Sequence, residues 1–312
     1  MNKLKKGWFI VNYKILASTE ELKWFYDHVV MKPQINESYS MVFVCRHKKL
    51  TKEEQEIIGL TRKEAEFLAT QSIRLGKVKD AFQEPEWTFD RFQKAVKRFQ
   101  VDKYAYTTAL GEPLPERTLA VLFYVNPCDD IKVADYVFDK INNAKMAIAK
   151  ALLNGKTMTD VLQTYQTFGN LESSVKHAKA NCKGSVYWLD YDIDVPSWFK
   201  GALGVRSEYE EQLLDLLADT YGKGNYVVVS TSGGYHVLVR TSAIKQNPRL
   251  FSNKVYDLYQ AGIKDGNEPY LDEKGNSKFE CIVNDSQIPG LPLPGTYQYG
   301  RPVTVLNKED FE

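Results

Sequence analysis

The sequence predicts an α+β fold, in which antiparallel strands share a sheet with crossing helices. Two observations predict it. Strand-like runs at 226–230 and 235–240 are separated by a short glycine turn, which is typical of a hairpin. Helix-like stretches at 207–221 and 248–262 flank that hairpin. Because hairpins and helices alternate here, a mixed or antiparallel sheet is favoured over a doubly wound parallel one.

The N-terminal part, residues 1–180, alternates strand-like and helix-like segments. We predict strands at 7–16, 39–45 and 117–125, and helices at 22–30, 51–75, 87–100, 130–153 and 157–180. The first helix has a start signal, because Ser18 and Thr19 precede Glu20 and Glu21 in the pattern of an N-terminal cap. This part is expected to form an α/β unit.

A second domain is predicted at 181–312, where strand-like sequence reappears. Its further strands are expected at 185–193, 278–283 and 302–306, with an exposed polar loop at 265–278. Residues 1–180 hold 28 basic and 22 acidic side chains, whereas 181–312 hold 13 and 18. A basic lobe beside an acidic one suits a protein that holds a polyanion and cations, and chance explains the charges equally well.

Composition narrows the class of protein. Hydrophobic residues make up 43% and charged residues 26%, as in ordinary globular proteins. No apolar run approaches the roughly 20 residues of a membrane helix, so no membrane association is expected. The basic N-terminus lacks the apolar core of an export signal, which predicts a cytoplasmic location. The four cysteines lie far apart and form no CxxC pair, so neither a disulfide framework nor a zinc site is indicated.

The most informative segment is an apolar strand that continues into alternating aspartates, VYWLDYDID at 186–194. Side chains repeat every two residues on a strand, so Asp190, Asp192 and Asp194 share one face. Adjacent carboxylates repel each other, whereas Mg²⁺ or Mn²⁺ takes hard oxygen ligands. The segment predicts a metal site, and the alternative is a strand end whose acids face water.

Two further segments carry candidate site residues. In STSGGYH at 230–236, paired glycines allow a tight turn whose N–H groups are available to an anion. His236 follows on a strand, where it can donate to a phosphate oxygen; a plain hairpin is the alternative. Asp285 ends an apolar run, either as a third metal ligand or as a strand-terminating acid. The P-loop motif of ATPase motors is absent.

The order of these motifs, an hhhDhD strand, an SGGxH turn and a strand-end aspartate followed by PGT, resembles the archaeo-eukaryotic primase superfamily over about residues 185–306. The resemblance implies a C-terminal RRM-like sheet with helices, preceded by an α/β unit. It also implies that two Mg²⁺ or Mn²⁺ ions are bound by the acids, and that the turn and its histidine contact the phosphates of a nucleotide. Carried over by position, these residues are Asp190, Asp192 and Asp285 for the metals, and Ser232, Gly233 and His236 for the nucleotide.

This chain departs from the family pattern at two points. Many members carry an arginine before the PG[ST] element, where this chain has Leu293. A nucleotide-contacting cation is therefore either missing or supplied by Arg240 or Arg301. The extra aspartate also leaves a second register open, in which the metal-binding pair is Asp192 and Asp194 rather than Asp190 and Asp192.

The activity implied by the resemblance is that of a DNA-dependent primase or primase-polymerase. Such an enzyme joins nucleoside triphosphates on a single-stranded DNA template by two-metal phosphoryl transfer. The alternatives are a metal-dependent nuclease and a non-catalytic module that binds single-stranded DNA during replication. Because no helicase motor is present, a separate replicative helicase is the expected partner. By analogy with chains of viruses and plasmids, the cytoplasm of a host cell is the expected location.

A basic helix is the main candidate for template binding. The stretch 87–100 places Arg91, Lys94, Lys97 and Arg98 around a side opposite its aromatic residues. Such a helix either tracks a template's phosphates and stacks its bases, or packs its aromatics into the core. The basic run CRHKK at 45–49 is a second candidate.

Overall fold

The structure is a computed structural model that describes residues 11–46, 51–52, 65–76, 84–102, 114–157, 159, 175, 178–195, 203–261, 279–284 and 288–311. Its helices are α1 (Thr19–His28), α2 (Phe89–Lys97), α3 (Asp130–Leu153), α4 (Leu203–Tyr221) and α5 (Pro248–Ala261). Its strands are β1 (Val11–Asn12), β2 (Glu37–Arg46), β3 (Ala65–Ile73), β4 (Val101–Asp102), β5 (Leu119–Tyr124), β6 (Cys128–Asp129), β7 (Trp188–Asp194), β8 (Tyr226–Ser230), β9 (Gly234–Arg240), β10 (Glu280–Asn284), β11 (Gly290–Pro292), β12 (Tyr297–Gln298), β13 (Arg301–Pro302) and β14 (Thr304–Val305).

One sheet has five antiparallel strands in the order β10-β7-β9-β8-β14. Along the chain, its first four strands are connected as β7-α4-β8-β9-α5-β10. Both helices cover the same face, where Tyr191 and Val237 of the strands are buried with Leu213 of α4 and Val255 of α5. Side chains alternate along a strand, so Asp190 and Asp192 of β7 point to the other face.

The second sheet has seven strands. Five follow the order β13-β12-β5-β2-β3, while β11 also pairs with β5 and β6 with β2. A separate two-stranded pair is formed by β1 and β4. Because β11, β12 and β13 follow the five-stranded sheet's β10 in the chain, this sheet takes strands from both sides of residue 180. The domain boundary at 180/181 stays a prediction.

The two sheets share one hydrophobic core, with α1 packed into it. Phe25 of α1 contacts Phe123 of the seven-stranded sheet edge to face, with ring centroids 5.9 Å apart. On the other side, the indole of Trp188 on β7 donates to the carbonyl of Val29, which ends α1. The N–H of Val305 on β14 donates to the Glu21 carboxylate of α1 at 2.6 Å. These contacts fix the two sheets relative to each other.

The α+β fold is confirmed. The hairpin of β8 and β9, α3 and α5 all lie within one residue of their predicted bounds. The Ser18 side chain caps α1, as predicted, by accepting from the Glu21 N–H. The helix expected at 51–75 is wrong over 65–73, where the chain forms β3 and pairs antiparallel with β2. Residues such as alanine, glutamate and leucine favour a helix locally, and pairing with a buried neighbouring strand outweighs that preference.

Two other expectations concern the whole chain. None of the four cysteines forms a disulfide bond. Among the helices that the structure describes, none combines the length and apolar character needed to cross a membrane.

Candidate functional site

The face of the five-stranded sheet that lies opposite α4 and α5 brings the predicted acids and the histidine together. The register of the antiparallel strands sets this arrangement. Asp192 on β7 lies directly opposite His236 on β9, and Asp190 lies opposite Asn284 on β10. Directly opposite residues of antiparallel strands project to the same face. Two side chains that are distant in sequence, those of His236 and Asn284, therefore converge beside Asp190.

His236 bridges the two aspartates. Its Nδ1 lies 3.1 Å from Oδ1 of Asp190 and 3.2 Å from Oδ2, and its Nε2 lies 3.6 Å from Oδ1 of Asp192. The amide of Asn284 donates to Oδ2 of Asp190 at 2.8 Å. Asp190 is fully buried, whereas the side chain of Asp192 is 42% exposed. Asp190 is thus held by its neighbours, and Asp192 is open to solvent or to a ligand.

The charges of this cluster shift the pKa values of His236 and Asp192. Burial alone lowers the pKa of His236, but the charge of Asp190 and the hydrogen bond to it raise that pKa to about 9. Burial raises the pKa of Asp192, and the charge of His236 opposes that rise. The nearby carboxylates of Asp190 and Asp194 raise it further. At neutral pH His236 is therefore a cation within an acidic cluster.

The glycine turn connects β8 to β9 and lies beside the last residue of β7. It is hydrogen-bonded to the seven-stranded sheet. Thr231 Oγ1 accepts from the N–H groups of Gly233 and Gly234, at 3.2 and 3.1 Å. The N–H of Ser232 donates to Oε1 of Gln298 on β12 at 2.7 Å. Protein oxygens accept from these N–H groups in this structure, and binding of an anion by the turn stays a prediction. A phosphate has to displace those oxygens or bind through side chains.

The third predicted acid, Asp285, lies outside the described residues. The preceding residue, Asn284, contacts Asp190. Within the described part of the chain, no group of three or more His, Cys, Asp or Glu side chains is placed so that it could hold a metal ion. Asp190 and Asp192 supply two carboxylates of the hard-oxygen type that Mg²⁺ and Mn²⁺ prefer, and Asp192 is accessible. The described residues therefore fit part of such a site.

The two predicted nucleotide-binding arginines lie in different places. Arg240 is four residues along β9 from His236, about 13 Å away at strand spacing, and its guanidinium lies over the Trp188 ring. Arg301 is exposed on β13, directly opposite Gln298, whose side chain holds the turn. The structure thus separates Arg240 from the acid cluster and places Arg301 on the hairpin that contacts the turn.

The predicted template-binding stretch, residues 87–100 with α2 inside it, uses its aromatic residues in the core. Phe92 and Phe99 are buried and pack against Phe123 and Phe43 of the seven-stranded sheet. Its basic side chains have partners within the protein: Lys94 pairs with Asp90, Lys97 with Gln93, Arg98 with Gln71, and Arg91 with the carbonyls of Arg74 and Glu86. Base stacking on the buried aromatics is excluded, while phosphate binding by the basic side chains stays a prediction.

Comparison with protein-family models, with curated protein sequences and with solved structures finds no match for this chain.

Sequence reasoning missed three residues around the site. Asn284 was not predicted, because the acid that follows it fitted a metal site better. The alternation of side chains along the same apolar strand could have indicated that Asn284 faces the site. Gln298 gave no signal, because its role depends on contact between two sheets. Arg46 was noted only as part of a basic run, yet it is near enough for its charge to lower the pKa of Asp192.

Proposed function

We propose that the chain is a primase or primase-polymerase, a metal-dependent nucleotidyltransferase that joins nucleoside triphosphates on a single-stranded DNA template. The observation that carries the proposal is the convergence of Asp190, Asp192 and His236 on one sheet face. The aspartate pair and the histidine come from separate motifs, 46 residues apart for Asp190 and His236. Their order in the chain is that of the archaeo-eukaryotic primases.

The architecture around the cluster supports the same proposal. The β-α-β-β-α-β connectivity, with both helices on one face, is that of the RRM-like unit which the resemblance implies. The opposite face of β7 and β9 packs into the shared core through Trp188 and Leu238, and it carries the acids and His236 beside them. Strands hold the acids and the histidine more rigidly than loops do, which suits chemistry that depends on positioning.

Each candidate residue has a distinct role in this reaction. Asp190 and Asp192 would hold the Mg²⁺ or Mn²⁺ ions, with Asp285 as the third carboxylate. Bound ions of this kind promote attack by a 3′-hydroxyl and stabilise the departing pyrophosphate. His236 donates to a phosphate oxygen of the nucleotide. Asn284 fixes the Asp190 carboxylate, and Asp190 in turn orients the imidazole.

A product-sizing experiment tests the proposed function. The protein is incubated with unprimed single-stranded DNA, labelled NTPs or dNTPs, and Mg²⁺ or Mn²⁺, and the products are resolved on a denaturing gel. We expect labelled chains whose formation requires the metal ion, the template and nucleotides. A parallel reaction on a primed template separates initiation from extension.

Two results would overturn the proposal. Shortening of an end-labelled template without nucleotide uptake would identify a nuclease that uses the same acids. Binding of single-stranded DNA that is steeply salt-dependent, with no response to metal ion or nucleotide, would identify a non-catalytic binding module.

A further inference from the structure

Helix α3 exposes apolar side chains along its whole length. Within its 24 residues, only Val133 and Ala144 are buried. Six of its large apolar side chains are exposed: Ile131, Phe138, Ile141, Met146, Leu152 and Leu153. Phe138 is 64% exposed, which leaves most of an aromatic ring in water. Contiguous exposed apolar surface is uncommon on a monomer and marks a place where another chain binds.

These residues follow the spacing of a helix that packs on another helix. Positions 131, 138, 145 and 152 recur every seven residues, and positions 134, 141 and 148 lie three residues after the first three of them. The residues at these positions, here called the α3 stripe, are Ile131, Ala134, Phe138, Ile141, Lys145, Ile148 and Leu152. Apolar residues at the first and fourth positions of a heptad are the pattern of paired helices. The buried residues Val133 and Ala144 lie about a quarter of a turn around the helix from the stripe, so the stripe is not the side that packs on its own chain.

The one charged residue of the stripe, Lys145, indicates the orientation of the partner helix. In an antiparallel pair of α3 helices, the register that puts Phe138 opposite Ile141 of the second copy also puts Ile131 opposite Ile148. The same register puts Lys145 opposite Ala134, whose small side chain leaves room for it. Asp135, the residue after Ala134, then lies within reach of the Lys145 ammonium. One register therefore matches apolar residues with each other and the lysine with an acid.

The charges of α3 agree with this pairing. In the first turn, Asp130 pairs with Arg74 and Lys132 with Asp129. Asp135 and Lys145, by contrast, are exposed and have no ion-pair partner in the described part of the chain. A parallel pair of helices would put the two copies of Lys145 beside each other in the middle of the apolar stripe, where like charges repel. Charge complementarity thus favours the antiparallel arrangement.

We propose that the α3 stripe is the contact surface of a homodimer, in which the α3 helices of two copies pack antiparallel about a two-fold axis. This inference goes beyond the proposed function and does not depend on it. A two-fold interface uses the same surface of both subunits, so it requires a surface that is complementary to itself. The stripe is about 30 Å long and one helix wide, which is a small interface, and we expect a Kd in the micromolar range.

Sedimentation equilibrium of the full chain at about 1 to 200 μM tests the dimer. We expect the wild type to shift from one to two chains per particle over this range. Phe138→Glu should raise the dimer Kd about 100-fold or more, because it introduces a buried charge twice in each dimer. Leu250→Glu is the matched control, since it makes the same kind of change at an apolar residue of α5 that is 50% exposed. It should leave the dimer Kd within about twofold, and both variants should keep the wild-type circular dichroism spectrum.

A charge exchange tests the orientation of the helices. Asp135→Lys alone and Lys145→Glu alone put like charges beside each other, and each should raise the dimer Kd about 5- to 10-fold. The double variant with both substitutions restores opposite charges, so its Kd should return to within about twofold of the wild type. In a parallel dimer these two positions lie far apart, and the double variant would not recover.

Each outcome supports or overturns the inference. A wild type that stays monomeric over the whole range overturns it. A wild-type dimer that Phe138→Glu leaves intact shows that another surface forms the dimer, which also overturns it. Loss of the dimer in Phe138→Glu without recovery in the double charge variant supports the surface and overturns the antiparallel register.

Discussion

At the scale of single residues, the candidate site depends on how Asp190 is stabilised. A fully buried carboxylate is costly unless its oxygens accept hydrogen bonds from nearby donors. His236 and Asn284 lie at hydrogen-bond distance from those oxygens, and the histidine adds a compensating charge. Asp190 in turn fixes the ring of His236 in one orientation. The two residues therefore act as a unit, and each change to one affects the other.

This pairing gives a pH dependence in metal-free protein. The pKa of His236 is raised from an ordinary 6.5 to about 9 in the fold. The folded state therefore keeps a proton that the unfolded chain loses, and the resulting stabilisation, roughly 3 kcal/mol at most, is present below pH 6.5. We expect this contribution to the free energy of unfolding to be lost between pH 6.5 and 9.

Urea denaturation with EDTA at several pH values measures this slope. His236→Gln removes the titrating group, so its stability should vary less over the same range. An identical slope in the wild type and in His236→Gln would show that the Asp190–His236 pair does not govern stability.

At the scale of elements, the two glycines of the turn differ in whether they tolerate a side chain: Gly234 does not, and Gly233 does. A Cβ on Gly234 would lie 1.9 Å from the carbonyl oxygen of Ile193 on the paired strand. A Cβ on Gly233 would lie 3.1 Å from Oδ1 of Asp194, a side-chain atom that can move. Close approach of two backbones, and not a left-handed conformation, therefore requires the second glycine.

The two glycines make a matched pair of variants. We expect Gly234→Ala to lower the free energy of unfolding by about 2 kcal/mol or more, because β7 and β9 have to separate. Gly233→Ala should cost less than about 1 kcal/mol. Urea unfolding of both proteins measures the difference, and equal losses would contradict this account of the turn.

The elements also show what local sequence could predict. Helices α3 and α5 and the hairpin of β8 and β9 followed from periodicity and a turn signal, because their own residues determine them. The strand β3 did not, since its pairing with β2 depends on residues 19 to 34 positions away. The same reasoning applies to α2, whose basic and aromatic pattern fitted a template-binding surface and a core helix equally well until its packing partners were known.

At the scale of the whole molecule, the site forms where two sheets meet. The acids and His236 belong to the five-stranded sheet, while Gln298, which holds the glycine turn, belongs to the seven-stranded one. Packing of α1 against both sheets fixes their relation. Motif residues within one sheet could be predicted from sequence, because strand alternation alone puts them on one face. Residues contributed by the other sheet could not, since their proximity depends on the packing of the complete fold.

The central claim is that Asp190 and Asp192, rather than Asp192 and Asp194, form the metal-binding pair of a nucleotidyltransferase. Template-dependent nucleotide incorporation by Asp190→Asn and Asp194→Asn, compared with wild type at equal folded concentration, tests it most directly. We expect Asp190→Asn to lose activity about 100-fold or more, as removal of a metal-holding carboxylate does, and Asp194→Asn to stay within a few-fold of wild type. Full activity in Asp190→Asn, or an equal loss in Asp194→Asn, would contradict the account.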